Sequence, residues 1–290
     1  MKILYTSDIH ASNSHLVSML SVANKESVDC IIVGGDIIPH HLPGEQRSGI
    51  LDAQAAYLED TFIPSLKSFK QKRDISLYLD MSNDDFACNR TVLEEYKGDL
   101  FYLLHMEKHP LTDSVDIIGY MNVPPTPFGR KDWEKPDSRA WPYAPGGYVT
   151  LNGVISDNGT IKEKVIHLDS EDTIENDLKK LSENINKPFV FVSHTPPYNT
   201  PLDVIADGTH VGSMSVRNFI EKWSVHNRIK ASLHGHIHES PKRSGSISTK
   251  IANVLCVNPG QGNGDSSKFR YVIFDFDMSG TNRMQILNRN

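Results

Sequence analysis

Five short polar segments of the chain carry side chains that could bind metal ions. They are Asp8-Ile9-His10, Gly34-Gly35-Asp36, Ser82-Asn83-Asp84-Asp85, Ser193-His194 and His234-Gly235-His236-Ile237-His238. Residues two positions apart project to the same side of an extended backbone. The first and last segments each contain two ligand-type residues with this spacing, so each pair could converge on one ion. The two glycines before Asp36 would allow a tight turn that brings its carboxylate close.

The donor set favours a pair of metal ions. Carboxylate oxygens, imidazole nitrogens and one amide oxygen suit Mn²⁺, Fe or Zn²⁺, and the set is too rich in nitrogen for Ca²⁺ or Mg²⁺. Seven such groups exceed the needs of one tetrahedral ion but fit two ions that share a carboxylate. Two divalent ions, two aspartates and one hydroxide leave a formal charge of about +1, which would attract phosphate.

Each segment has an ordinary explanation when it is considered alone. An Asp-x-His triplet is common by chance, Gly-Gly-Asp is usually a turn, and His-x-His in a loop is often solvated. His194 could be a hydrogen-bonded core histidine. The signal lies in the conjunction, because all five segments occur in this order after predicted strands.

Short apolar runs precede the polar segments and predict buried strands. These runs are Lys2–Thr6, Cys30–Val33, Ile75–Leu79, Pro188–Ser193 and Ile229–Leu233. Nearly continuous apolar runs are typical of parallel strands that are covered on both faces. Ligand sites of open α/β sheets gather at the carboxyl ends of the strands. We therefore expect the polar segments to meet at one edge.

Helical periodicity separates these strands. Apolar residues recur on one face over about 16–23, 174–185 and 216–223, and a longer helix is predicted over 50–70, with Pro64 breaking or kinking it. After Ser246 the pattern becomes short strands, at 247–251, 254–257, 269–276 and 284–287. This order predicts a layered α/β fold in which two sheets could pack together.

Residues 121–147 form an unusual stretch with six prolines and four large aromatic residues. A long, proline-stiffened segment of this kind usually has a function or packs over the surface. Two interpretations stay open, namely that it covers or lines a binding site, or that it only packs. Its Arg130 and Lys131 could contact a substrate anion.

Composition excludes several classes of protein. The net charge of the 290 residues is −6, so long nucleic acids are unlikely partners. No apolar run approaches the roughly 18 residues of a membrane span, and the start of the chain turns polar too soon for a signal peptide. Three widely spaced cysteines suit a reducing compartment, so we expect a cytoplasmic protein.

The order of the five segments resembles the calcineurin-like metallophosphoesterase superfamily. The likeness runs from Asp8 to His238, and Val257-Asn258-Pro259-Gly260 is similar to that family's closing turn. The resemblance implies an α/β fold with a two-sheet β-sandwich flanked by helices, in four α/β/β/α layers. It implies one domain over 1–290, with an insertion at about 121–147.

The resemblance also implies a dinuclear metal centre. Asp8, His10 and His238 would hold the first ion, Asp36 would bridge both ions, and Asn83, His194 and His236 would hold the second. A hydroxide bridging the two ions, which would be Mn, Fe or Zn, would attack phosphorus in line. His41 and His210 are further candidates for substrate binding, and His234 is expected to pack at a strand end.

The third segment departs from the family. The family pattern is Gly-Asn-His, and that histidine stabilises or protonates the leaving group, whereas this chain has Ser82-Asn83-Asp84. One interpretation makes Asp84 a catalytic residue, either a protonated acid or a group that orients a ligand. The other is that the enzyme works without an acid, on good leaving groups or with a group from the loops, because an ordinary aspartate is a poor acid at neutral pH.

The sequence therefore predicts a metal-dependent phosphoesterase that acts on small phosphate esters, with phosphodiesters preferred. A non-catalytic protein-interaction scaffold of the same fold is the alternative, since Asp84 and the aromatic segment depart from an ordinary active site. A nuclease acting on small nucleotides is a weaker third option. The oligomeric state is not predicted.

Overall fold

Two six-stranded sheets form the centre of the protein, as a computed structural model describes it for residues 1–39, 49–262, 268–277 and 284–289. The first sheet contains β1 (Lys2–Thr6), β2 (Cys30–Val33), β3 (Ser76–Leu79), β4 (Tyr102–Leu103), β13 (Val272–Phe276) and β14 (Met284–Arg289). The second contains β5 (Lys108–Pro110), β6 (Asp116–Tyr120), β9 (Phe189–Ser193), β10 (Ile229–Leu233), β11 (Ser248–Ile251) and β12 (Val254–Val257). A separate hairpin joins β7 (Asn152–Asp157) and β8 (Thr160–Val165).

The two sheets have similar layouts. Their orders are β14-β13-β1-β2-β3-β4 and β11-β12-β10-β9-β6-β5. In the first sheet β1 to β4 are parallel, and in the second β12, β10, β9 and β6 are parallel. Antiparallel pairing completes one edge of the first sheet, at β13 and β14, and both edges of the second, at β11 and β5. Each sheet therefore presents a row of parallel carboxyl ends, as the apolar runs predicted.

Seven α-helices lie in the described residues. They are α1 (Asn13–Lys25), α2 (Ile50–Tyr57), α3 (Ile63–Lys70), α4 (Arg90–Glu94), α5 (Ile174–Ser182), α6 (Met214–Ser224) and α7 (Ser240–Ser244). The side chains of Ser12, Thr173 and Ser213 cap α1, α5 and α6 by accepting hydrogen bonds from backbone N–H groups in the first turn.

The predicted helix over 50–70 forms, but in three consecutive parts. A π-helical turn, Leu58–Phe62, joins α2 to α3, and Pro64 lies in the first turn of α3. Proline has no N–H and cannot donate to the carbonyl four residues earlier. The wider turn accommodates this missing hydrogen bond, so the chain keeps its helical course.

Alternation along the strands separates two buried clusters. Val190 and Val192 of β9 belong to a cluster that contains residues of both sheets and of α1 and α3. Phe189 and Phe191, on the other face of β9, pack with the apolar faces of α5 and α6. The sheets therefore pack face to face with helices outside them, and the predicted two-sheet sandwich is confirmed.

Several elements were missed by the sequence analysis. Strand β6 is fully buried, but no run was assigned there, and β4 and β5 are too short to show a pattern. The β7–β8 hairpin turns at Asn158-Gly159, and both residues have positive φ. Asn-Gly is the dipeptide that such two-residue turns favour, so this signal was available in the sequence.

The 121–147 segment runs between several elements without forming a helix or long strand. The Asp137 carboxylate accepts hydrogen bonds from the N–H groups of Met214 and Ser215, 2.8 and 3.1 Å away, at the start of α6. Lys131 is buried and lies 2.7 Å from the buried Glu134 carboxylate. These contacts give several residues of the segment a structural role and fix its backbone. The remaining side chains of the segment therefore project from a fixed backbone.

A helix that could cross a membrane does not occur in the parts of the chain that the structure describes.

We expect Asp137→Ala to destabilise the protein, because it removes the acceptor for two N–H groups at the α6 N-terminus. The free energy of unfolding should fall by about 1–3 kcal/mol, as measured by urea denaturation. Arg139→Ala is the matched control, since Arg139 lies in the same segment and pairs with Glu171 where both are exposed. Equal losses in the two variants would contradict this role of Asp137.

Candidate metal centre

The five polar segments meet where the parallel strands of both sheets end. Backbone pairing continues beyond β1 and β2, since the N–H groups of Asp8 and His10 donate to the carbonyls of Gly35 and Asp36, both at 3.0 Å. In the second sheet, the N–H of Gly235 donates to the His194 carbonyl at 3.0 Å. The loops that carry the candidate ligands are therefore held to one another by their own backbones.

Unusual backbone conformations aim several of these side chains. Asp8, His10, Asp36 and His236 all have positive φ, between 47° and 67°. This region is uncommon for residues with a Cβ and costs of order 1–3 kcal/mol each unless the surroundings enforce it. Such strain is concentrated at functional sites, and here it falls on four of the seven candidate ligands.

Two glycines are required by close approach. A Cβ on Gly35, whose φ is 107°, would lie 2.6 Å from Nδ1 of His194. A Cβ on Gly235 would lie 2.5 Å from Oδ2 of Asp8. Real Cβ atoms do not approach other atoms so closely, so both positions need glycine for the candidate ligands to reach each other.

Three overlapping groups of side chains offer ligand atoms within 4.8 Å of one another. The groups are Asp8, His10 and His238; Asp8, Asp36 and His194; and His10, Asp36 and Asp84. The first group is the set that the sequence analysis assigned to the first ion. Asp8 and Asp36 each belong to two groups, so their carboxylates lie between neighbouring sites.

Distances within the groups are short. Nε2 of His238 lies 3.3 Å from Oδ1 of Asp8 and 3.3 Å from Nε2 of His10. Nε2 of His194 lies 3.2 Å from Oδ2 of Asp36 and 3.7 Å from Oδ1 of Asp8. These nitrogen and oxygen atoms thus surround a small space. A cation in that space would make their close approach favourable.

Orphaned buried atoms show that the site fits a cation. Oδ2 of Asp36, Oδ1 of Asn83 and Nε2 of His194 are buried and have no hydrogen-bond partner among the described residues. Leaving a buried acceptor unsatisfied is costly, and most buried polar atoms are paired. All three atoms belong to residues of the predicted ligand set, and all three can donate a lone pair to a metal.

The ring of His194 is oriented for ligation. Its Nδ1–H group donates to the Gly34 carbonyl at 2.7 Å, which leaves Nε2 as the ring atom that faces the Asp36 and Asp8 carboxylates. Metal-binding histidines are commonly fixed in this way by a hydrogen bond at the other nitrogen. Burial opposes a charge on this ring, but the Asp36 and Asp8 carboxylates outweigh it and raise the pKa of His194 to about 9.

The other ionisable groups respond to the same surroundings. Burial, with a further contribution from the charge of His194, lowers the pKa of His236 to about 4, which keeps the ring neutral. Burial alone would raise the pKa of Asp8, but His238, His194 and His10 hold it well below its usual value. Histidines bind metals in the neutral form and carboxylates in the ionised form, so a bound cation would displace the proton from Nε2 of His194.

His236 and Asn83 lie at the second part of the site. The N–H of His236 donates to both carboxylate oxygens of Asp8, at 3.0 and 3.2 Å, and its ring centroid is 5.2 Å from that of His194. Asn83 is 5% exposed and precedes Asp84, whose N–H donates to Oδ1 of Asp36 at 3.0 Å. Five of the seven predicted ligands thus fall in the three groups, His236 lies beside His194, and Asn83 is the sequence neighbour of Asp84.

Asp84 lies at the same centre. Its Oδ2 is 3.8 Å from Nδ1 of His10. Arg130, from the 121–147 segment, lies against it: Nη1 donates to the Asp84 carbonyl and is 3.9 Å from Oδ1. Of the two cations considered from the sequence, Arg130 thus reaches the site, whereas Lys131 is buried against Glu134.

Supporting residues that the sequence analysis missed hold the third segment in place. The side chain of Gln54, on α2, donates to the Pro39 carbonyl and accepts from the Phe86 N–H at 3.1 Å. The indole of Trp133 donates to the Asp85 carbonyl at 2.9 Å. No motif marks either residue, because each acts through backbone groups that are distant in sequence.

Asp85 and Asn258 tie the loops together. The buried Asp85 carboxylate accepts hydrogen bonds from the N–H groups of Ile37 and Ile38, both at 3.1 Å, just after Asp36. Asn258, in the predicted closing turn, donates to the carbonyls of Gly235 and Ile237, at 3.1 and 3.2 Å, on either side of His236. These two side chains position ligands without touching the space between them.

The remaining predicted residues have other surroundings. His234 is fully buried, donates from Nδ1 to the Ser193 and Thr195 carbonyls, and lies 2.8 Å from Ser232 Oγ, so its structural role is confirmed. His210 is partly exposed and lies 2.8 Å from the buried Asp203 carboxylate, outside the three ligand groups. His41 lies outside the described residues.

Two facing mixed sheets with carboxylates and histidines at their joined carboxyl ends define a metal-binding α/β sandwich. The sequence profile of the family described as calcineurin-like phosphoesterase matches residues 1–240. The chain belongs to this family, and the resemblance inferred from the motifs is confirmed.

Individual relatives are more distant. An uncharacterized protein of Methanocaldococcus jannaschii is 37% identical over 113 residues. The match covers 37% of this chain and 48% of that protein, so the chain spans about half the length of this relative. A dimetal phosphatase from Danio rerio superposes with a TM-score of 0.59 at 12% identity, over 100% of this chain and 96% of its own. A protein of Thermus thermophilus gives a TM-score of 0.56 at 15% identity, over 99% and 98%. At these identities the two structures show the shared fold.

We expect divalent metal to stabilise the protein, because it would neutralise carboxylates that are now buried together. Mn²⁺ at 100 times its dissociation constant should add about 2.7 kcal/mol to the free energy of unfolding, and EDTA should reverse the resulting rise in melting temperature. Asp36→Asn should greatly reduce this rise, whereas the exposed Asp172→Asn should retain it. A rise of the same size in Asp36→Asn would argue against binding at this centre.

Proposed function

We propose that this protein is a dinuclear metal-dependent phosphoesterase that prefers phosphodiesters. The observation that carries the proposal is the convergence of five of the seven predicted ligands in overlapping groups, together with three buried ligand atoms that have no hydrogen-bond partner among the described residues. Asp8, His10 and His238 would hold one ion, Asn83, His194 and His236 the other, and Asp36 would lie between them. Mn²⁺ is the proposed metal, because the donors mix oxygen and nitrogen.

The residues would divide the chemical work. Two bound divalent ions would supply Lewis acidity for the phosphoryl oxygens and would activate the attacking water. The protein fixes its ligands before the substrate arrives, since the backbone pairing of the loops and the Nδ1 hydrogen bond of His194 leave little freedom. This preorganisation lets the charges act without reorganising during the reaction.

The charge of Asp84 favours diesters over monoesters. Its carboxylate faces His10 and is 13% exposed, so it lies towards the open side of the centre. A phosphomonoester carries about two negative charges at neutral pH, and a phosphodiester carries one. An additional carboxylate near the bound phosphate therefore repels a monoester more strongly.

The same geometry weakens the scaffold hypothesis. A protein that only binds partners has no need for strained backbone at Asp8, His10, Asp36 and His236, nor for buried acceptors left unsatisfied. Both features cost stability and are accounted for by a metal-dependent reaction. We therefore favour the enzyme.

Purified protein loaded with Mn²⁺ should hydrolyse bis(p-nitrophenyl) phosphate, and the reaction is measured by the release of p-nitrophenolate. Asp36→Asn should lower kcat/KM by more than roughly 100-fold, because even residues that only orient metal ligands are worth about 10- to 100-fold. Asp172→Asn is the control for loss of a carboxylate elsewhere. Activity that survives Asp36→Asn would refute the bridging role.

Asp84→Asn should shift selectivity towards monoesters, because it removes a negative charge while keeping the side-chain shape. We expect the ratio of kcat/KM for p-nitrophenyl phosphate to that for the diester to rise by roughly tenfold, equivalent to about 1.4 kcal/mol. Metal content should be measured alongside. An unchanged or lower ratio at full metal content would mean that Asp84 does not set the preference.

A further inference from the structure

Arg130 is held in a fixed place beside the third polar segment. Its backbone pairs with Val154 of β7: the Lys131 N–H donates to the Val154 carbonyl and the Val154 N–H to the Gly129 carbonyl, both at 2.8 Å. Its guanidinium carbon lies 5.0 Å from the centroid of the Phe86 ring, in a cation–π arrangement. The backbone and the ring together restrict where this cation can go.

A short chain of contacts connects Arg130 to the metal centre. Nη1 donates to the carbonyl of Asp84, whose carboxylate faces His10 and whose N–H donates to the Asp36 carboxylate. Asp84 occupies the sequence position of the family's histidine. The guanidinium therefore lies next to Asp84. In the family pattern, the histidine at this position acts on the leaving group.

The exposure of the side chains divides the centre into a floor and a rim. The side chains of Asp8, Asp36 and His194 are at most 1% exposed. Those of Asp84, Arg130 and His238 are 13%, 17% and 22% exposed. Among these side chains the rim is the part that solvent reaches, and Arg130 belongs to it.

Charge at the rim points to the same residue. Asp84 brings a negative charge where the family has a neutral or positive ring, and this opposes phosphate binding. Arg130 restores a positive charge beside it. A guanidinium carries five N–H donors in a planar fork that matches phosphate oxygens.

We propose that Arg130 binds a phosphate oxygen of the substrate and stabilises charge on the leaving group in place of the family's histidine. This inference rests on the proposed phosphoesterase function. Arginine stays protonated at any pH at which the enzyme works, so it supplies charge without transferring a proton. The substrates it suits are phosphodiesters whose leaving groups are weak bases, such as phenols.

The test compares Arg130→Gln and Arg130→Lys with Arg139→Gln, an exposed arginine of the same segment. Binding of inorganic phosphate to the Mn²⁺-loaded proteins is measured by calorimetry. The value of kcat/KM is measured on a series of aryl phosphodiesters whose phenol leaving groups differ in pKa. Arg130→Gln should weaken both by roughly 10- to 100-fold, the range for a hydrogen bond to a charged group. Arg130→Lys should recover part of this loss, and Arg139→Gln should match the unsubstituted protein.

A comparison of Asp84→Ala with the double variant that also carries Arg130→Gln distinguishes two roles of Arg130. In one role it contacts the substrate directly, and in the other it only positions Asp84. If Arg130 binds phosphate directly, its replacement weakens phosphate binding in both backgrounds at unchanged metal content. The proposal is overturned if the loss vanishes in the Asp84→Ala background, if Arg130→Gln loses metal, or if it binds phosphate normally.

Failure of the proposed function gives a different pattern. A protein that hydrolyses no ester but binds phosphate through Arg130 would refute the phosphoesterase and keep the anion contact. Phosphate binding therefore decides the role of Arg130 whether or not turnover is found.

Discussion

The arrangement of the site depends on holding two buried carboxylates, Asp8 and Asp36, and the imidazoles around them together in one small space. Isolated ionised groups in such a place would be strongly unfavourable, because burial removes their hydration. His194 compensates them in part, as its raised pKa shows. The remaining imbalance is what a cation would relieve. Metal binding and folding would therefore be linked here. The buried carboxylates and histidines, which would destabilise an ordinary core, are explained by the ion that they would surround.

The fold supplies this concentration of charge through the direction of its strands. Parallel strands end at one edge, and two sheets packed face to face bring two such edges together. Asp8 and Asp36 come from the first sheet, whereas His194, His236 and His238 come from the second. Neither sheet alone carries a complete set of ligands. Packing between the sheets is therefore a condition for the chemistry, and core substitutions that shift one sheet against the other would be felt at the centre.

The fold class and the meeting of the candidate ligands could be predicted because both depend on local patterns. Buried parallel strands are nearly continuous apolar runs, and ligands follow them within a few residues. The supporting residues could not be predicted in the same way. Gln54, Trp133 and Asn258 act by hydrogen bonds to backbone groups far away in sequence, and such contacts leave no periodicity or spacing. The course of 121–147 was likewise open, because prolines and aromatics indicate stiffness without saying which surface the segment contacts.

The 121–147 segment shows how one substitution in a motif can be compensated from elsewhere in the chain. Its Asp137 fixes one part to α6, and its Trp133 holds the backbone of the third polar segment. Arg130, whose backbone pairs with Val154 of β7, lies beside Asp84, where this chain has an aspartate in place of the family's histidine. An aspartate there would weaken anion binding if it stood alone, but the neighbouring arginine supplies a positive charge beside it. The motif and the segment are therefore best understood as one unit, in which the loss of a histidine is tolerated because a cation arrives from another part of the fold.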